Sequence, residues 1–391
     1  MNEPKLRFKA DDGSQFPDWE EHKIKEFVTE SNILGHTGKE AKKLTVKLWA
    51  KGVVPKENVF SGSENTQYYI RHSGQLMYGK LDFLNCAFGI VPPELDGYES
   101  TLDAPAFDMH DISDKFLLCY VTRKIFYKKN GDIANGSRKA KRIHPDVFGE
   151  MSIMVPSLPE QQKIADFLST IDTVIEKQKE TASAWEERKK GVMQKLFSQK
   201  VRFKADDGDQ FPEWEEKKLG EVFEFYNGKA HENVISENGK YVVVNSKFIS
   251  TDGTVRKYTN EMIFPLIKKD IVMVMSDVPN GKAISKCFLI NENNKYTLNQ
   301  RICCLRTKEN AVFYINQISR NKYFLKFDDG VKQTNLRKND ILQCSLLCPC
   351  LAEQQKIADC LSSLDEVIKK QKATLAAWEE LKKGLLQQMF V

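Results

Sequence analysis

The residues that could bind a metal or act as nucleophiles are scattered along this 391-residue chain. Three of its nine cysteines, Cys344, Cys348 and Cys350, stand close together in "ILQCSLLCPC". No histidine lies near them, and the run is typical of a buried strand, so buried free thiols are favoured over a zinc site. The six histidines form no local ligand pair, and five lie in the first half, which excludes a repeated metal site. We predict that the chain holds no metal.

Motifs for cofactor chemistry are also missing from the sequence. There is no Gly-x-Gly-x-x-Gly and no Walker motif, so no phosphate-binding loop of a known kind is present. There is no Asp/Asn-Pro-Pro-Tyr/Phe, the motif that holds a flipped adenine in amino-methyltransferases. We therefore predict that the chain is not an enzyme and that it has no catalytic residues and no cofactor of its own.

Three turns carry side chains that suit nucleic-acid contacts. They are "NGSRKAKR" (135–142), "DGVKQTNLRK" (329–338) and "VPNGKAIS" (278–285). Arginine and lysine can bind phosphates or guanine edges, and asparagine and glutamine can bind adenine. The alternative is a solvated surface loop, and for the third turn a plain hairpin is favoured. The candidate contacts are Ser137, Arg138, Lys139, Lys141, Arg142, Asn280, Lys282, Lys332, Gln333, Asn335 and Arg337.

An internal repeat organises the chain around these turns. "RFKADDGSQFPDWEE" (7–21) returns as "RFKADDGDQFPEWEE" (202–216). "PSLPEQQKIADFL" (156–168) returns as "PCLAEQQKIADCL" (349–361), and this second pair is 193 positions apart (349 − 156). The bodies between them, 22–155 and 217–348, look unrelated. A period this long describes two whole domains rather than a solenoid. The first two turns lie 24 and 23 residues before the repeated glutamates, so they occupy equivalent places.

The two repeated tails are predicted to be long helices, because Ala, Glu, Lys, Gln and Leu dominate them. Apolar residues recur in steps of four and three, which indicates a heptad seam. We expect the two helices to pair with each other within the chain; the alternative is a coiled coil between two chains. The predicted pairing residues are Ile164, Leu168, Ile171, Ile175, Gln178, Trp185, Ile357, Leu361, Leu364, Ile368, Gln371 and Trp378.

Each body reads as a mixture of strands and helices. Runs such as "KYVVVNSKFIS", "KKDIVMVMSDV", "RICCLRT" and "GQLMYGKLDFLNCAFGIVPP" are predicted strands, and "ISDKFLLCYVTRKIFYKK" and "NAVFYINQISRNKYFLKF" are predicted amphipathic helices. The predicted fold class is α+β: two mixed α/β domains joined by two long antiparallel helices that form an intramolecular coiled coil, a pseudo-two-fold repeat. The predicted domains are 1–155, the central helix 156–198, 199–348 and the C-terminal helix 349–391.

Two heads on a shared pair of helices suit a target in two parts, and double-stranded DNA is the natural candidate. The net charge of +5 and the pI near 8.5 permit such a partner without demanding it. No apolar run approaches the roughly 20 residues that span a bilayer, and the N-terminus lacks the pattern of a signal peptide. We expect a cytoplasmic protein without a membrane partner.

The phrases "PSLPEQQKIADFLSTID", "LAEQQKIADCLSSLDEVI" and "FPEWEEKKLGEV" make the whole chain resemble the specificity subunit of type I restriction–modification enzymes. The resemblance implies a non-catalytic subunit of a bacterial or archaeal complex that recognises a bipartite, asymmetric DNA site. Two copies of a methylation subunit would join it to methylate adenine N6, and restriction/translocase subunits would add ATP-dependent restriction. S-adenosylmethionine, ATP and Mg²⁺ would belong to those partners.

Two other functions remain open from the residues alone. The chain could be a coiled-coil adaptor with two protein-binding heads that does not bind DNA. It could also be a self-contained methyltransferase or nuclease, but the required motif is missing. DNA affinity measured against salt separates the first alternative, because neutralised phosphates give a steep logarithmic slope.

Overall fold

The computed structural model describes residues 4–38, 40–57, 64–131, 142–278 and 282–391. The chain divides into two compact units: unit 1 is Met1–Glu180 with Ala373–Val391, and unit 2 is Thr181–Lys372. Each unit contains a mixed α/β head and a part of each long helix.

The described part of the head of unit 1 is built from short strands, three short α-helices and three single-turn 3-10 helices. Its strands in the described residues are β1 (Glu20–Lys23), β2 (Val28–Ser31), β3 (Leu34–Thr37), β4 (Leu44–Val46), β5 (Val53–Pro55), β6 (Gln67–Arg71), β7 (Leu76–Tyr78), β8 (Phe88–Ile90), β9 (Tyr98–Ser100), β10 (Ala106–Met109) and β11 (Ser152–Val155). Its α-helices are α1 (Asp114–Val121), α2 (Lys124–Gly131) and α3 (Pro145–Gly149). The long helix α4 (Leu158–Phe197) follows the head.

The head of unit 2 has a comparable set of elements. Its strands in the described residues are β12 (Glu215–Lys218), β13 (Glu224–Asn227), β14 (Tyr241–Val244), β15 (Lys257–Thr259), β16 (Ile271–Val274), β17 (Ser276–Asp277), β18 (Cys287–Leu289), β19 (Tyr296–Leu298), β20 (Ile302–Arg306), β21 (Thr334–Asn335) and β22 (Ser345–Cys348). Its helices are α5 (Leu219–Val222), α6 (Ser246–Ser250), α7 (Ala311–Ile318), α8 (Lys322–Leu325) and α9 (Lys338–Leu342), and the second long helix is α10 (Leu351–Gln388).

A four-stranded antiparallel sheet forms the framework of each head. Its strand order is β2-β10-β7-β8 in unit 1 and β13-β20-β16-β18 in unit 2. We call the repeated segments 7–21 and 202–216 the lead segments. In each unit the strand at the end of the lead segment, β1 or β12, pairs with the strand just before the long helix, β11 or β22. Apolar side chains of the framework sheet and of α1 or α7 fill the core of the head: alternate strand residues such as Ile271 and Met273 face it, and the helices contribute residues four apart such as Phe116 and Tyr120.

A second, smaller sheet differs between the heads. In unit 1 it is the antiparallel sheet β3-β6-β9, flanked by the hairpin β4-β5. In unit 2 it is β15-β14-β19, in which β14 and β19 run parallel. Unit 2 also has the short pair β17-β21. The two bodies thus share a framework and differ in what is built on it.

The long helices begin and end close to the predicted positions. Both helices lack runs of β-branched residues and contain many good helix formers, so the helical conformation is favoured along most of their length without tertiary contacts. The start of α4 and the end of the chain, Met389 and Phe390, are buried in the core of unit 1. Leu196 and the start of α10 are buried in the core of unit 2. No helix among the described residues is both long and apolar enough to cross a membrane.

Three predicted elements are different in the structure. "ISDKFLLCYVTRKIFYKK" forms two helices, because the Thr122 hydroxyl bonds the Leu118 carbonyl where α1 ends. "NAVFYINQISRNKYFLKF" also forms two, because Arg320 adopts φ 55° and its N–H bonds the carbonyl of Ser285. "KYVVVNSKFIS" begins as β14 but ends as α6, which the Asn245 side chain caps by accepting from the N–H of Phe248.

Candidate nucleic-acid interface

The glutamate of each repeated Glu-Gln-Gln phrase is buried beneath an arginine of the lead segment. In unit 2, Arg202 Nε and Nη2 donate to the two oxygens of Glu353 at 3.1 and 2.8 Å, and Trp214 Nε1 donates at 2.9 Å. In unit 1, Arg7 donates to Glu160 at 3.0 and 2.8 Å. Neither carboxylate is exposed to solvent. The bond to Glu353 raises the pKa of Arg202 above its ordinary value. We call this contact the helix clamp.

The next glutamine of the phrase ties the helix to the head. Gln161 Oε1 accepts from the N–H of Ser113 at 2.8 Å, and Gln354 Oε1 accepts from the N–H of Asn310 at 3.2 Å. Ser113 and Asn310 are the N-caps of α1 and α7. In both cases the glutamine Nε2 donates to the carbonyl of the proline five residues earlier, at 2.9 Å. Because every polar atom of the buried amide is used, the phrase fixes the angle at which each long helix leaves its head.

The second turn predicted from sequence forms an extended edge in unit 2. Thr334 and Leu336 are buried there, whereas Gln333, Asn335 and Arg337 are exposed. Side chains alternate along an extended strand, so these three share one face, which we call the 333–337 face. One cationic and two amide side chains share this face, and both amide nitrogens also donate within it, Gln333 Nε2 to Ser276 Oγ and Asn335 Nδ2 to the Gln333 carbonyl.

Neighbouring hydrogen bonds hold this turn in shape. Lys332 is exposed, and its N–H donates to Asp329 Oδ1 at 3.0 Å. The N–H groups of Lys332 and Val331 hold the pKa of Asp329 below its ordinary value. Arg337 is the N-cap of α9, and its N–H donates to Asp340 Oδ2 at 2.8 Å. The Arg337 guanidinium therefore projects from a backbone fixed on both sides.

The pairing of β17 with β21 brings the third predicted turn beside the 333–337 face. Gln333 Nε2 donates to Ser276 Oγ at 2.6 Å. The Asp277 carboxylate closes the loop by accepting from the N–H groups of Ala283 and Ile284 at 2.7 and 3.1 Å. Lys282 is exposed on this loop. The two turns begin 51 residues apart in sequence (329 − 278), yet the structure places their described residues on one edge of unit 2.

Part of the predicted interface lies outside the described residues, namely Ser137, Arg138, Lys139, Lys141 and Asn280. Arg142, at the edge of that segment, is exposed, and its Nε lies 3.4 Å from Asp103 Oδ1. The next residue, Ile143, donates its N–H to the carbonyl of Lys80, just as Leu336 donates to the carbonyl of Met275 in unit 2. Arg142 and Asn335 therefore hold equivalent places beside the framework sheets.

The residues predicted to pair the long helices are less exposed than their helical neighbours. In α4 and α10 the buried members are Ile164, Leu168, Ile171, Ile357 and Leu361, and the half-buried members are Ile175, Gln178, Trp185, Leu364, Ile368, Gln371 and Trp378. Ion pairs join the two helices within each unit. Lys382 Nζ lies 2.5 Å from Asp172 Oδ1 in unit 1, and Lys189 Nζ lies 2.7 Å from Asp365 Oδ1 in unit 2.

No metal or reactive thiol site is found in the described residues. No group of three or more His, Cys, Asp or Glu side chains there could hold a metal ion. All nine cysteines are free. Burial raises the pKa of Cys344 to about 11, and it also raises the pKa of Cys348. Such thiols stay protonated at neutral pH and are poor nucleophiles.

The sequence alone did not predict the helix clamp. Both partners were visible, because Arg7 and Glu160 and their counterparts Arg202 and Glu353 all lie in repeated segments. Two segments that recur together across more than 130 unrelated residues are candidates for mutual contact, and that signal could have identified the pair.

The sequence matches one family model and resembles two known proteins. The family model "Type I restriction modification DNA specificity domain" matches residues 107–182 and 212–377. The MjaVIII type I restriction enzyme specificity subunit of Methanocaldococcus jannaschii is 26% identical over 269 residues, and the match covers 62% of each chain. The putative MjaX specificity subunit of that organism is 23% identical over 288 residues, covering 69% of this chain and 65% of the relative. The chain thus spans less than two thirds of the length of these relatives.

Two solved structures share the fold. The S subunit of the type I restriction–modification system from M. genitalium has a TM-score of 0.58 at 16% identity and covers 100% of this chain and 99% of its own. A chain from a study of complex assembly and conformational transition of the type I R-M system has a TM-score of 0.53 at 16% identity, covering 96% of this chain and 98% of its own. The matched family model extends over more than half of the residues, and the protein belongs to the type I restriction–modification specificity family.

Proposed function

We propose that this chain is the DNA-recognition subunit of a type I restriction–modification complex and has no catalytic role. Each head would bind one part of a bipartite, asymmetric DNA site. The observation that carries the proposal is the 333–337 face, where Gln333, Asn335 and Arg337 stand exposed in a row beside a second polar turn. Arginine suits guanine edges and amide side chains suit adenine, so side chains of this kind can read bases directly. The segment around Arg142 would serve unit 1.

We also infer that α4 and α10 form an antiparallel intramolecular coiled coil with a pseudo-two-fold repeat. Within unit 2, Glu186 pairs with Lys372 and Lys189 pairs with Asp365, so partner numbers fall along α10 as they rise along α4. The ion pair Lys382–Asp172 is the counterpart of Lys189–Asp365, because each residue lies 193 positions from its equivalent. Reduced exposure at steps of three and four residues supports a heptad seam.

The proposed partners follow from this role. Residues 1–155 and 199–348 would act as target-recognition domains, and the helices 156–198 and 349–391 would hold them. A pseudo-two-fold arrangement suits two copies of a methylation subunit, since equivalent surfaces bind equivalent partners. Restriction/translocase subunits would complete the complex. S-adenosylmethionine, ATP and Mg²⁺ would be bound by those subunits, and the complex would act on DNA in the cytoplasm of a bacterium or archaeon.

Head exchange combined with mapping of methyladenine tests the proposal. The chain is expressed with its methylation subunit, and residues 22–155 are replaced by the corresponding body of another family member. We expect one half of the methylated motif to change and the other half to stay. The matched control is the reciprocal exchange of residues 217–348, which should change the other half.

Two results would contradict the proposal. A change of both halves in either exchange would show that the heads do not act independently. Absence of salt-dependent duplex binding by the unaltered chain with its methylation subunit would favour a protein adaptor, because DNA binding by basic side chains releases counterions.

A further inference from the structure

The hairpin β4-β5 of unit 1 is strongly basic. The stretch "KKLTVKLWAKGVVPK" (42–56) contains five lysines and no aspartate or glutamate. The four exposed lysines of this stretch are Lys42, Lys47, Lys51 and Lys56. Lys47 and Lys51 stand on either side of the tip, and neither forms an ion pair with another described residue. The tip therefore presents two solvated positive charges, which suits a polyanionic partner.

A tryptophan is exposed between these two lysines. Trp49 is 56% exposed, and its neighbour Leu48 is 38% exposed. The Trp49 indole makes no hydrogen bond and no ring contact in the part of the chain that the structure describes. Tryptophan is usually well buried, because its large apolar surface is costly to leave in water. An exposed aromatic ring between two cations is the combination that stacks on nucleic-acid bases between phosphates.

The backbone of the tip is in a conformation that a bulky side chain disfavours. Trp49 has φ 61° and Ala50 has φ 53°. For residues other than glycine, positive φ is strained and persists only when surrounding contacts impose it. Here the N–H of Trp49 donates to the Asn85 carbonyl at 2.8 Å, and the N–H of Ala50 donates to the Cys86 carbonyl at 2.7 Å. Glycine would make the same turn with less strain, so the turn itself does not require a tryptophan.

Close backbone packing determines which way the tip faces. The N–H of Lys47 donates to the Gly52 carbonyl at 2.9 Å and closes the turn. Gly52 lies against Gly89 of β8 so closely that a Cβ on Gly89 would come to 3.0 Å from the Gly52 backbone. Because the backbone of the turn rests on the head, the exposed Trp49 side chain is held toward solvent.

The loop 80–86, which accepts the two bonds from the tip, also contacts residues on either side of the predicted DNA-contact segment. Before that segment, Leu84 packs so closely on Gly131 that a Cβ there has no room. After it, the N–H of Ile143 donates to the Lys80 carbonyl at 3.2 Å. The basic tip is therefore next to the candidate DNA-contact surface of unit 1.

The charges around the hairpin favour DNA over a protein as the partner. Two acids, Asp82 and Asp103, lie along its strands, and they accept from Asn85 and Arg142. Neither forms an ion pair with a lysine of the tip. Phosphates flank every base of DNA, so a single strand supplies two negative charges on either side of one aromatic contact. A protein partner would need two acids and an apolar pocket at the same spacing.

We propose that Trp49 packs its indole against the bases at one step of the DNA bound by unit 1, with Lys47 and Lys51 on the flanking phosphates. The inference rests on the proposed function. Because the strained turn holds the indole in place before DNA arrives, little side-chain freedom is lost on binding. Such a contact adds affinity and fixes the position of the head, with weak preference among bases.

The first test compares two glycine substitutions that relieve the same strain. Trp49→Gly removes the indole, whereas Ala50→Gly keeps it and is the matched control. The full chain with its methylation subunit is titrated with duplex DNA that carries the methylated motif. Trp49→Gly should lower the affinity about tenfold, and Trp49→Phe should lower it less, because a smaller ring still stacks. Ala50→Gly should leave it unchanged. Equal affinity of Trp49→Gly and the unaltered chain would overturn the contact.

Thermal unfolding without DNA separates a DNA contact from a structural role. Because glycine adopts positive φ without strain, neither glycine variant should melt at a lower temperature than the unaltered chain. Weaker DNA binding by Trp49→Gly together with a lower melting temperature would assign Trp49 a structural role and would overturn the proposal.

Tryptophan fluorescence reports on the indole directly. The chain has five tryptophans, and the difference in emission between the unaltered chain and Trp49→Phe belongs to Trp49. Acrylamide should quench this component in the free protein, since the indole is exposed, and duplex DNA should protect it. Protection by the methylation subunit alone, before DNA is added, would show that the tip contacts protein and would overturn the proposal.

The lysines are tested through the salt dependence of binding. Lys47→Gln and Lys51→Gln should each decrease the logarithmic salt slope by about 1 and weaken binding to all duplexes alike. Lys115→Gln, a change of an exposed lysine in α1, is the control and should leave the slope unchanged. Unchanged slopes for both tip variants would contradict the phosphate contacts.

The outcomes separate this inference from the proposed function. If the unaltered chain with its methylation subunit binds duplex DNA specifically and Trp49→Gly binds it equally well, only the contact at the tip is wrong. If the unaltered chain binds no duplex at all, the DNA-recognition role itself fails.

Discussion

The two heads share a framework and differ in the sheet that stands on it. Both frameworks have four antiparallel strands in the same order, and in both the lead segment is clamped to the start of a long helix. The second sheet is wholly antiparallel in unit 1, whereas β14 and β19 run parallel in unit 2. The repeated residues therefore determine how each head is mounted, and the unrepeated residues are free to differ in what they present.

This comparison explains why so few residues needed to be repeated. The contacts that both units share, the helix clamp and the bond to the buried glutamine oxygen, use residues of the two repeated segments and one backbone N–H of the body; in unit 2 Gln354 Nε2 also donates to the Glu309 side chain at 2.7 Å. Backbone donors do not depend on side-chain identity, so an unrelated body can meet the same contact. A substitution inside a body should therefore leave the contacts between the head and its long helix intact, whereas a substitution in the helix clamp should lower the free energy of unfolding.

The largest predicted effect comes from breaking the clamp. Arg202→Met leaves the buried Glu353 carboxylate without its cation and should destabilise unit 2 by about 3–5 kcal/mol. Arg7→Met should cost unit 1 about 1 kcal/mol more, because Trp214 still donates to Glu353 whereas Trp19 Nε1 has no hydrogen-bond partner. Hydrogen exchange measured on peptides of each unit reports both values.

The control for the clamp removes both charges. Arg202→Met combined with Glu353→Met should recover much of the loss, because a buried pair replaced by apolar side chains is often neutral. Equal protection in the single and double variants would mean that the clamp is not an energetic unit. A larger loss in unit 2 than in unit 1 would contradict the role assigned to Trp214.

The second predicted effect compares the two surfaces proposed to contact DNA, the 333–337 face of unit 2 and the segment around Arg142 in unit 1. Arg337→Ala and Arg142→Ala should each weaken DNA binding by about 1–3 kcal/mol if they contact base edges, and each should relax only its own half of the site. Fluorescence anisotropy with duplexes altered in one half distinguishes these effects. Lys326→Ala, an exposed charge change in unit 2, is the control. Equal losses on all duplexes would assign the arginines to phosphate contacts.

Smaller effects are expected from the ion pairs between the helices. Asp172→Asn and Asp365→Asn each remove one of two equivalent pairs, and both acids are about half exposed, at 50% and 55%. Each variant should lose no more than about 1 kcal/mol, and by similar amounts. Urea unfolding checks this. A cost above about 2 kcal/mol for only one of them would show that the two ends of the seam are not equivalent.

The smallest effect concerns pH and is confined to unit 1. The hydrogen bond to Glu99 raises the pKa of His36 above its ordinary value of about 6.5. The charged pair therefore stabilises unit 1 fully below that value, and the contribution is lost as pH rises through the raised pKa. His36→Asn should flatten the pH profile of unit 1 exchange. Exchange of unit 2 peptides is the internal control, and His36→Asn should leave it unchanged because His36 lies in unit 1.

The sequence predicted the long helices and the division into two heads well, because helix propensity and the repeat are local signals. It did not predict the break between α1 and α2 or the turn at Arg320, since both depend on local or tertiary hydrogen bonds that override an apolar periodicity. The second sheets could not be predicted either, because their strands pair across 30 to 55 residues with no turn signal to set the register. The sequence identified 333–337 as part of a candidate DNA-contact turn, but it did not predict that buried and exposed side chains alternate there.

The burial of Met389 and Phe390 in the core of unit 1 has a consequence for biosynthesis. Unit 2 is one continuous stretch, whereas unit 1 combines residues 1–180 with residues 373–391. Domains usually complete in the order in which they leave the ribosome, from the N-terminus onward. We expect the reverse order here, because unit 2 can close once residue 372 has emerged, whereas unit 1 also needs residues 373–391. Pulse proteolysis of stalled nascent chains should find Thr181–Lys372 protected first, and protection of the N-terminal head at that stage would refute the reversed order.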